Sequence, residues 1–316
     1  MTAFANFTDE MSSNRWDFSQ AYNDIEKRLI ELGWKCEYKD NVCFGLFSKK
    51  DKELEIAFAH PPITDRPLII TDSVVKNQST LCTSPTIFGH FYREFEYTNS
   101  IPTKKFNCFI HRGCSYRQGW FYQLVKNNLL EEGFVSYHCF DTENKTDSAE
   151  YFEQLFLSGN QNFEQEHTYI KSNLTIPFIN FDDTHLEQVI VDSEKSLTIE
   201  TFFAEPDVVT FSEKTWRSLQ LPRPMLLFGH PYSIKQLRDW GFDVYDDYID
   251  HSYDNELISH IRQSMILKEL IKPISYTSAV LEDFENRAEH NRQILKNYSN
   301  EFIDFFPNFL YNLKNL

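Results

Sequence analysis

Glycine is scarce in this chain, at 9 of 316 residues, and proline reaches only 12. So little of either leaves no long flexible linker or disordered tract to expect. No run of some 18 apolar residues occurs, which excludes an ordinary membrane-spanning helix. The polar stretch Met1–Asn14 has no apolar core of a signal peptide, so a cytoplasmic protein is expected. The six cysteines form no C-x-x-C pair and match no zinc spacing; they read as free thiols used as small apolar residues. A G-x-x-x-x-G-K-[ST] loop is missing, and so is a G-x-G-x-x-G after any expected strand. These absences argue against a P-loop enzyme and a dinucleotide oxidoreductase. Positive charge is also short: 31 Lys and Arg face 47 Asp and Glu, for a net charge of -16. That field disfavours a protein that grips nucleic acid mainly through its phosphates.

What is present is an α/β pattern rich in aromatics (16%). A helix is expected over Phe18–Leu32, with Ala21, Ile25, Leu29 and Leu32 at helical spacing and Gly33 as its stop. Strands are expected at Val42–Phe47, Leu54–Ala59 and Leu68–Thr71. Farther on, Phe106–Ile110 reads as a strand, Ser115 and Gln118 as a capping box, and Trp120, Phe121, Leu124, Val125 and Leu129 as one helix face ending at Gly133. Phe134–Phe140 returns as a strand. A helix near Glu150–Leu157 lies in a polar excursion, and Leu197–Phe203 is a further strand. Thr210 and Glu213 match a second capping box before a helix over Ser212–Leu219. Pro224–Phe228 is a buried strand, Ser233 and Gln236 open another helix that stops at Gly241, and Phe242–Tyr245 is the next strand. Helices follow at His260–Leu270 and Ala279–Tyr298. Strand–helix–strand units at short intervals indicate a parallel, doubly wound sheet.

Two expected helices carry a cation in their first turn, Arg117 after Ser115 and Lys214 after Thr210. A helix N-terminus bears about half a positive charge, so each cation is disfavoured there by about 0.3–1 kcal/mol. A bound anion would remove that penalty and use the free backbone N–H groups. Arg112 sits just upstream of the first helix. A diphosphate held between the two starts has the right charge and reach.

At these residues the sequence resembles the alpha-1,3-fucosyltransferases and related two-domain glycosyltransferases. The likeness covers about residues 103–250. It lies in Phe106–Phe140, with Arg117 opening a helix, and in Val209-Thr-Phe-Ser-Glu-Lys-Thr-Trp216 followed by Arg223-Pro-Met-Leu-Leu-Phe-Gly229. Departures are Ile110-His111-Arg112-Gly113, where the family often has Ser-Asn, and Ser212 in place of Thr before Glu-Lys. The stretch Trp240–Tyr245, continuing to Asp250-His-Ser-Tyr-Asp254, looks more like phage-type and bacterial glycosyltransferases. The resemblance implies an α/β fold of two Rossmann-like domains facing a cleft (GT-B type), with C-terminal helices. Residues 1–102 would form the acceptor-side domain and 103–270 the domain binding the nucleotide sugar. Residues 271–316 would be helices packing back on the first domain.

Carried over, the resemblance puts Arg117 and Lys214 on the donor diphosphate and Glu213 on the ribose, beside Ser212. His111 and Arg112 are expected next to the diphosphate, and Asp250 and Tyr253 at the donor sugar. An inverting transfer needs a base for the acceptor hydroxyl. Asp72, at a strand end, is the first candidate and Glu94 the second, with Glu96 and His90 behind them. Without a D-x-D pair, cations and helix starts are the expected stabilisers of the leaving group, so neither metal nor cofactor is expected beyond the nucleotide-diphosphate sugar. The acceptor would be a glycan, protein or small molecule. Transfer to hydroxymethylated bases of phage-type DNA is an alternative that the net charge disfavours. A non-catalytic protein binding a nucleotide sugar or glycan is another.

Overall fold

A computed structural model describes residues 18–39, 44–50, 52–57, 69–71, 74–75, 80–82, 92–110, 115–137, 186–200, 208–209 and 211–312. Helix α1 (Phe18–Glu31) buries Ile25 and Leu29 one turn apart and ends at Gly33, whose φ of +82° suits a residue without a Cβ. The strands that follow are β1 (Lys35–Lys39), β2 (Phe44–Lys49), β3 (Lys52–Ala57), β4 (Ile69–Thr71) and β6 (Thr80–Cys82). They form a sheet in the order β1-β2-β3-β4-β6. It is mixed: β1 pairs with β2 and β2 with β3 antiparallel, while β3 pairs with β4 and β4 with β6 in parallel. Among the described residues Phe47, Leu54 and Ile56 are its buried apolar side chains, and Glu55 is buried as well.

The second sheet is all parallel, in the order Met225–Phe228, Ser193–Ile199, Lys104–Ile110 and Gly133–Tyr137. Its strands are β7 (Lys104–Ile110), β8 (Gly133–Tyr137), β9 (Ser193–Ile199) and β11 (Met225–Phe228). Every residue of β11 is buried, as strands covered on both faces require. Helix α2 (Ser115–Lys126) joins β7 to β8, α3 (Leu186–Val191) precedes β9, and α4 (Glu213–Leu219) joins β9 to β11. Then come α5 (Ser233–Asp239), α6 (Ser259–Leu270) and the 35-residue α7 (Ser278–Asn312).

Strand parity fixes the layers. On β9, Ser196 and Thr198 meet Ser218 of α4, while Lys195 points the other way and donates to the last carbonyls of α6. Trp120 of α2 and Arg262 of α6 both lie against Phe228. So α2 and α6 cover one face of the sheet and α4 the other. The first half of α7 joins α4: Asn291 donates to Leu219 O, and Phe284 meets Tyr245, Tyr248 and Tyr276 edge-on. It also holds the extended segment 92–100 through Tyr97–Glu285 and Arg292–Tyr97. A short antiparallel pair, β5 (Val74–Val75) with β10 (Val208–Val209), links the first sheet's connections to the approach of α4. Among the described residues no helix is long and apolar enough to cross a membrane.

Several sequence expectations need correction. Among the described residues the two strands near the start run over Phe44–Lys49 and Lys52–Ala57, past the expected end at Phe47 and before the expected start at Leu54. Gly133 does not stop α2; the chain turns at Asn128 (φ 55°), and Gly133 begins β8, where a Cβ would come within 2.6 Å of the Phe106 ring. The α4 cap is Ser212, not Thr210. Ser233 does not cap α5. Its hydroxyl donates to His230 O, and the carboxylate of Asp254 takes the N–H groups of Ile234 and Lys235. Residues 242–245 form no strand. The Asn291 amide oxygen accepts from Asp243 N–H and its amide nitrogen donates to Asp243 O, while the Asp243 carboxylate accepts from Tyr245 N–H, so no ladder partner is needed. The helix expected near Glu150–Leu157 lies outside the described residues.

Candidate functional site

From β7 the chain passes through α2 to β8 on one side; from β9 it passes through α4 to β11 on the other. The connections therefore leave the central pair in opposite directions and on opposite faces. A crevice between the carboxyl ends of two such strands is where open α/β sheets bind ligands. Ile110 and Ile199 end these strands in register, since Cys108 pairs with Leu197.

Four of the expected residues belong to this edge. Arg117 lies in the first turn of α2, which contains no acid, and is 3% exposed. Its charge draws the thiol of Cys108 on β7 down, although burial pushes that thiol up to about 12. On the other side of this switch point stand Ser212, Glu213 and Lys214 at the start of α4. The Ser212 hydroxyl accepts from Lys214 N–H, and Lys214 Nζ lies 2.8 Å from Glu213 Oε1. Desolvation raises the Glu213 pKa, but Lys214 and Arg217 outweigh it and hold the carboxyl below its usual range. The Lys214 charge is thus partly answered within its own turn.

Four of the expected residues lie elsewhere. Asp250 and Tyr253 are engaged within the fold rather than at the switch point between β7 and β9. Asp250 caps the short 3-10 turn His251–Asn255 by accepting from Ser252 N–H, and its own N–H donates to Glu269 near the C-terminus of α6. That end of α6 sits over Lys195, toward the amino edge of the sheet, roughly 16 Å along β9 from Glu200 at about 3.3 Å per residue. Tyr253 is a core residue whose hydroxyl accepts from Leu227 N–H, satisfying the open edge of β11. Glu94 is exposed on the segment 92–100, which runs along the same amino edge, with Arg93 N–H on Gln220 at the end of α4. Glu96 is exposed on that segment too. Asp72, His90, His111 and Arg112 lie outside the described residues.

Sequence reasoning missed three buried polar residues at the carboxyl edge. Glu200 follows β9 directly; its carboxylate accepts from Ser212 N–H at 2.9 Å and from the Thr215 hydroxyl, so it fixes the start of α4. His230 follows β11 and is 1% exposed. Arg262, one turn into α6, stacks over Phe228 with its carbon 5.3 Å from the ring centroid. The available signal was position, since each sits just past a strand's carboxyl end or one turn into a helix that meets one.

No protein-family model matches the chain, and neither a curated protein nor a solved structure matches it significantly.

Proposed function

We propose that the chain is a glycosyltransferase that takes a nucleotide-diphosphate sugar at the carboxyl edge of the parallel sheet. The observation that carries the donor site is the switch in connection direction between β7 and β9, with helix starts on both sides and Arg117 buried in one of them. Sugar transfer rests on the sequence resemblance. In this reading residues 103–270 hold the donor, 1–102 the acceptor, and 271–316 brace the assembly. The all-parallel second sheet supports the donor half. The first sheet, with its antiparallel β1–β2–β3 ladder, departs from a Rossmann-like second half.

Arg117 and Lys214 would neutralise the diphosphate, and Glu213 would take the ribose hydroxyls. The acceptor oxygen attacks the sugar C1 as its proton passes to a carboxylate; the C1–oxygen bond to the phosphate breaks, and the nucleoside diphosphate leaves with its charge met by these cations. Asp72 remains the candidate base. It precedes Val74 by two positions, and Val74 pairs with Val209, three positions before Ser212. The position of Glu94 on the amino edge favours a second reading, a binding protein that holds a nucleotide sugar without transferring it.

Thermal shift against UDP, GDP, CMP, dTDP and ADP with their common sugars tests the donor site. A ligand at one hundred times its dissociation constant adds about 2.7 kcal/mol. One nucleotide family is expected to shift the wild type, with the shift lost in Lys214→Ala. Equal affinity in that variant would remove Lys214 from the diphosphate. Binding without product, in wild type and Asp72→Asn alike, would leave the binding protein.

A further inference from the structure

Two side chains lean on the ring of Phe228, the last residue of β11. Arg262 comes from α6 and Trp120 from α2, with the Trp120 ring centred 5.2 Å away and edge-on. Both are almost fully buried, at 1% and 0% exposure. Arg262 Nη1 donates to Glu256 O at 2.7 Å, but Arg262 Nε, Arg262 Nη2 and Trp120 Nε1 have no acceptor among the described residues. Buried donors of this kind are almost always matched, and a guanidinium the more so.

The nearby negative charge does not fill the gap. Asp254 favours the charged form of Arg262, yet its two oxygens are taken by the N–H groups of Ile234 and Lys235. Burial is the largest influence on Arg262 and pushes its pKa down to about 10. Helix α6 also opens without a side-chain cap at Ile258 and without an acid in its first turn. Its starting N–H groups add to the same demand for an acceptor. Arg117 lies one turn before Trp120 on α2, so two buried cations share this face of the sheet.

We infer that Arg262 and Trp120 form a position for an oxyanion over Phe228, where phosphate oxygens of a diphosphate are held by the guanidinium Nε–H and Nη2–H and the indole N–H. A planar fork binding two oxygens is the geometry arginine offers to phosphate. The inference deepens the proposed donor site and depends on that reading only for the source of the diphosphate.

Titration calorimetry of the full chain with inorganic pyrophosphate, inorganic phosphate and nucleoside diphosphates tests it. Arg262→Lys keeps the positive charge facing Asp254 and Glu256 but loses the fork, and is expected to weaken pyrophosphate by about tenfold or more. Trp120→Phe keeps the ring on Phe228 and loses one neutral donor, for about a fivefold loss. Pyrophosphate bound equally by wild type and both variants overturns the inference, as does a wild type that binds none of these anions. The two readings separate cleanly. Nucleoside diphosphate binding that is lost in Lys214→Ala and intact in Arg262→Lys keeps the donor site and removes this position. Pyrophosphate binding that depends on Arg262, with no nucleotide preferred over it, keeps this position and removes the nucleotide.

Discussion

Two buried cations at the amino edge of the parallel sheet are more fully matched than Arg262 at its carboxyl edge. At the amino edge the fold supplies most of the acceptors, and of the N–H groups of Lys195 and Arg223 only Arg223 Nε is left without one among the described residues. Lys195 donates to the carbonyls of Glu269, Leu270 and Lys272, closing the C-terminus of α6 where a positive charge is also favoured by the helix dipole. Arg223 donates to Asn99, Ser100 and Pro222 and stacks on Tyr276. At the carboxyl edge Arg262 has one carbonyl and two N–H groups without an acceptor among the described residues. The amino-edge contacts are cross-links within the fold, whereas Arg262 at the carboxyl edge keeps two donors that the proposed reading gives to a ligand.

The largest expected effect follows from removing a cross-link. Lys195→Met leaves three carbonyls at the end of α6 without their donor and should cost about 3 kcal/mol of stability, read from urea denaturation. The same residue carries a pH signature. Burial pushes the Lys195 pKa down from 10.5 to about 8, with Glu269 and Glu194 opposing. Between about pH 8 and 10.5 the unfolded chain holds this proton and the folded chain does not, so the Lys195 contribution should raise stability as pH climbs through that window. The difference between wild type and Lys195→Met isolates it, and a flat difference would mean that the lysine stays charged on its carbonyls.

A smaller effect is expected from His251. Its Nε2 faces Val244 O at 2.7 Å, and a carbonyl can only accept, so Nε2 carries the proton and Nδ1 accepts from the Tyr253 hydroxyl. Burial, the largest influence, lowers its pKa below 6.5. The unfolded chain then takes up a proton that the folded chain refuses, and stability should fall as pH drops below about 6.5. The denaturation midpoint measured at pH 7 and pH 5 should show this in the wild type and much less of it in His251→Gln.

The apolar strands and helix spacing were legible in the sequence because they depend on neighbours along the chain: β7, β11, α1 and α6 lie within a residue or two of where their patterns put them. The caps were less legible. Thr210 and Ser212 both suit the start of α4, and the choice follows Glu200, whose carboxylate holds Ser212 N–H from twelve positions upstream. The Ser233 box is displaced by Asp254, and the strand expected at Phe242–Tyr245 is undone by Asn291 on α7. At the site, Arg117 and Ser212–Lys214 were readable from helix starts after strands. Glu200 and Arg262 were not, since their roles depend on which face of β9 a side chain takes and on a ring brought by another strand.

The smallest expected effect is the sharpest test of the edge comparison. Glu94 was a candidate base on sequence grounds, in a run of aromatics and acids. It is exposed on the segment that crosses the amino edge, where the Tyr92 hydroxyl donates to it at 3.3 Å. A base must come within hydrogen-bond reach of the acceptor hydroxyl, which in turn must meet the donor sugar. If the donor sits beyond the carboxyl ends of β7 and β9, Glu94 is on the wrong side of the sheet to act. Glu94→Gln should therefore leave nucleoside diphosphate release unchanged and shift stability by less than about 0.5 kcal/mol, as for an exposed side chain. A loss of release with intact donor affinity would put the chemistry at the amino edge and reverse the assignment of the two edges.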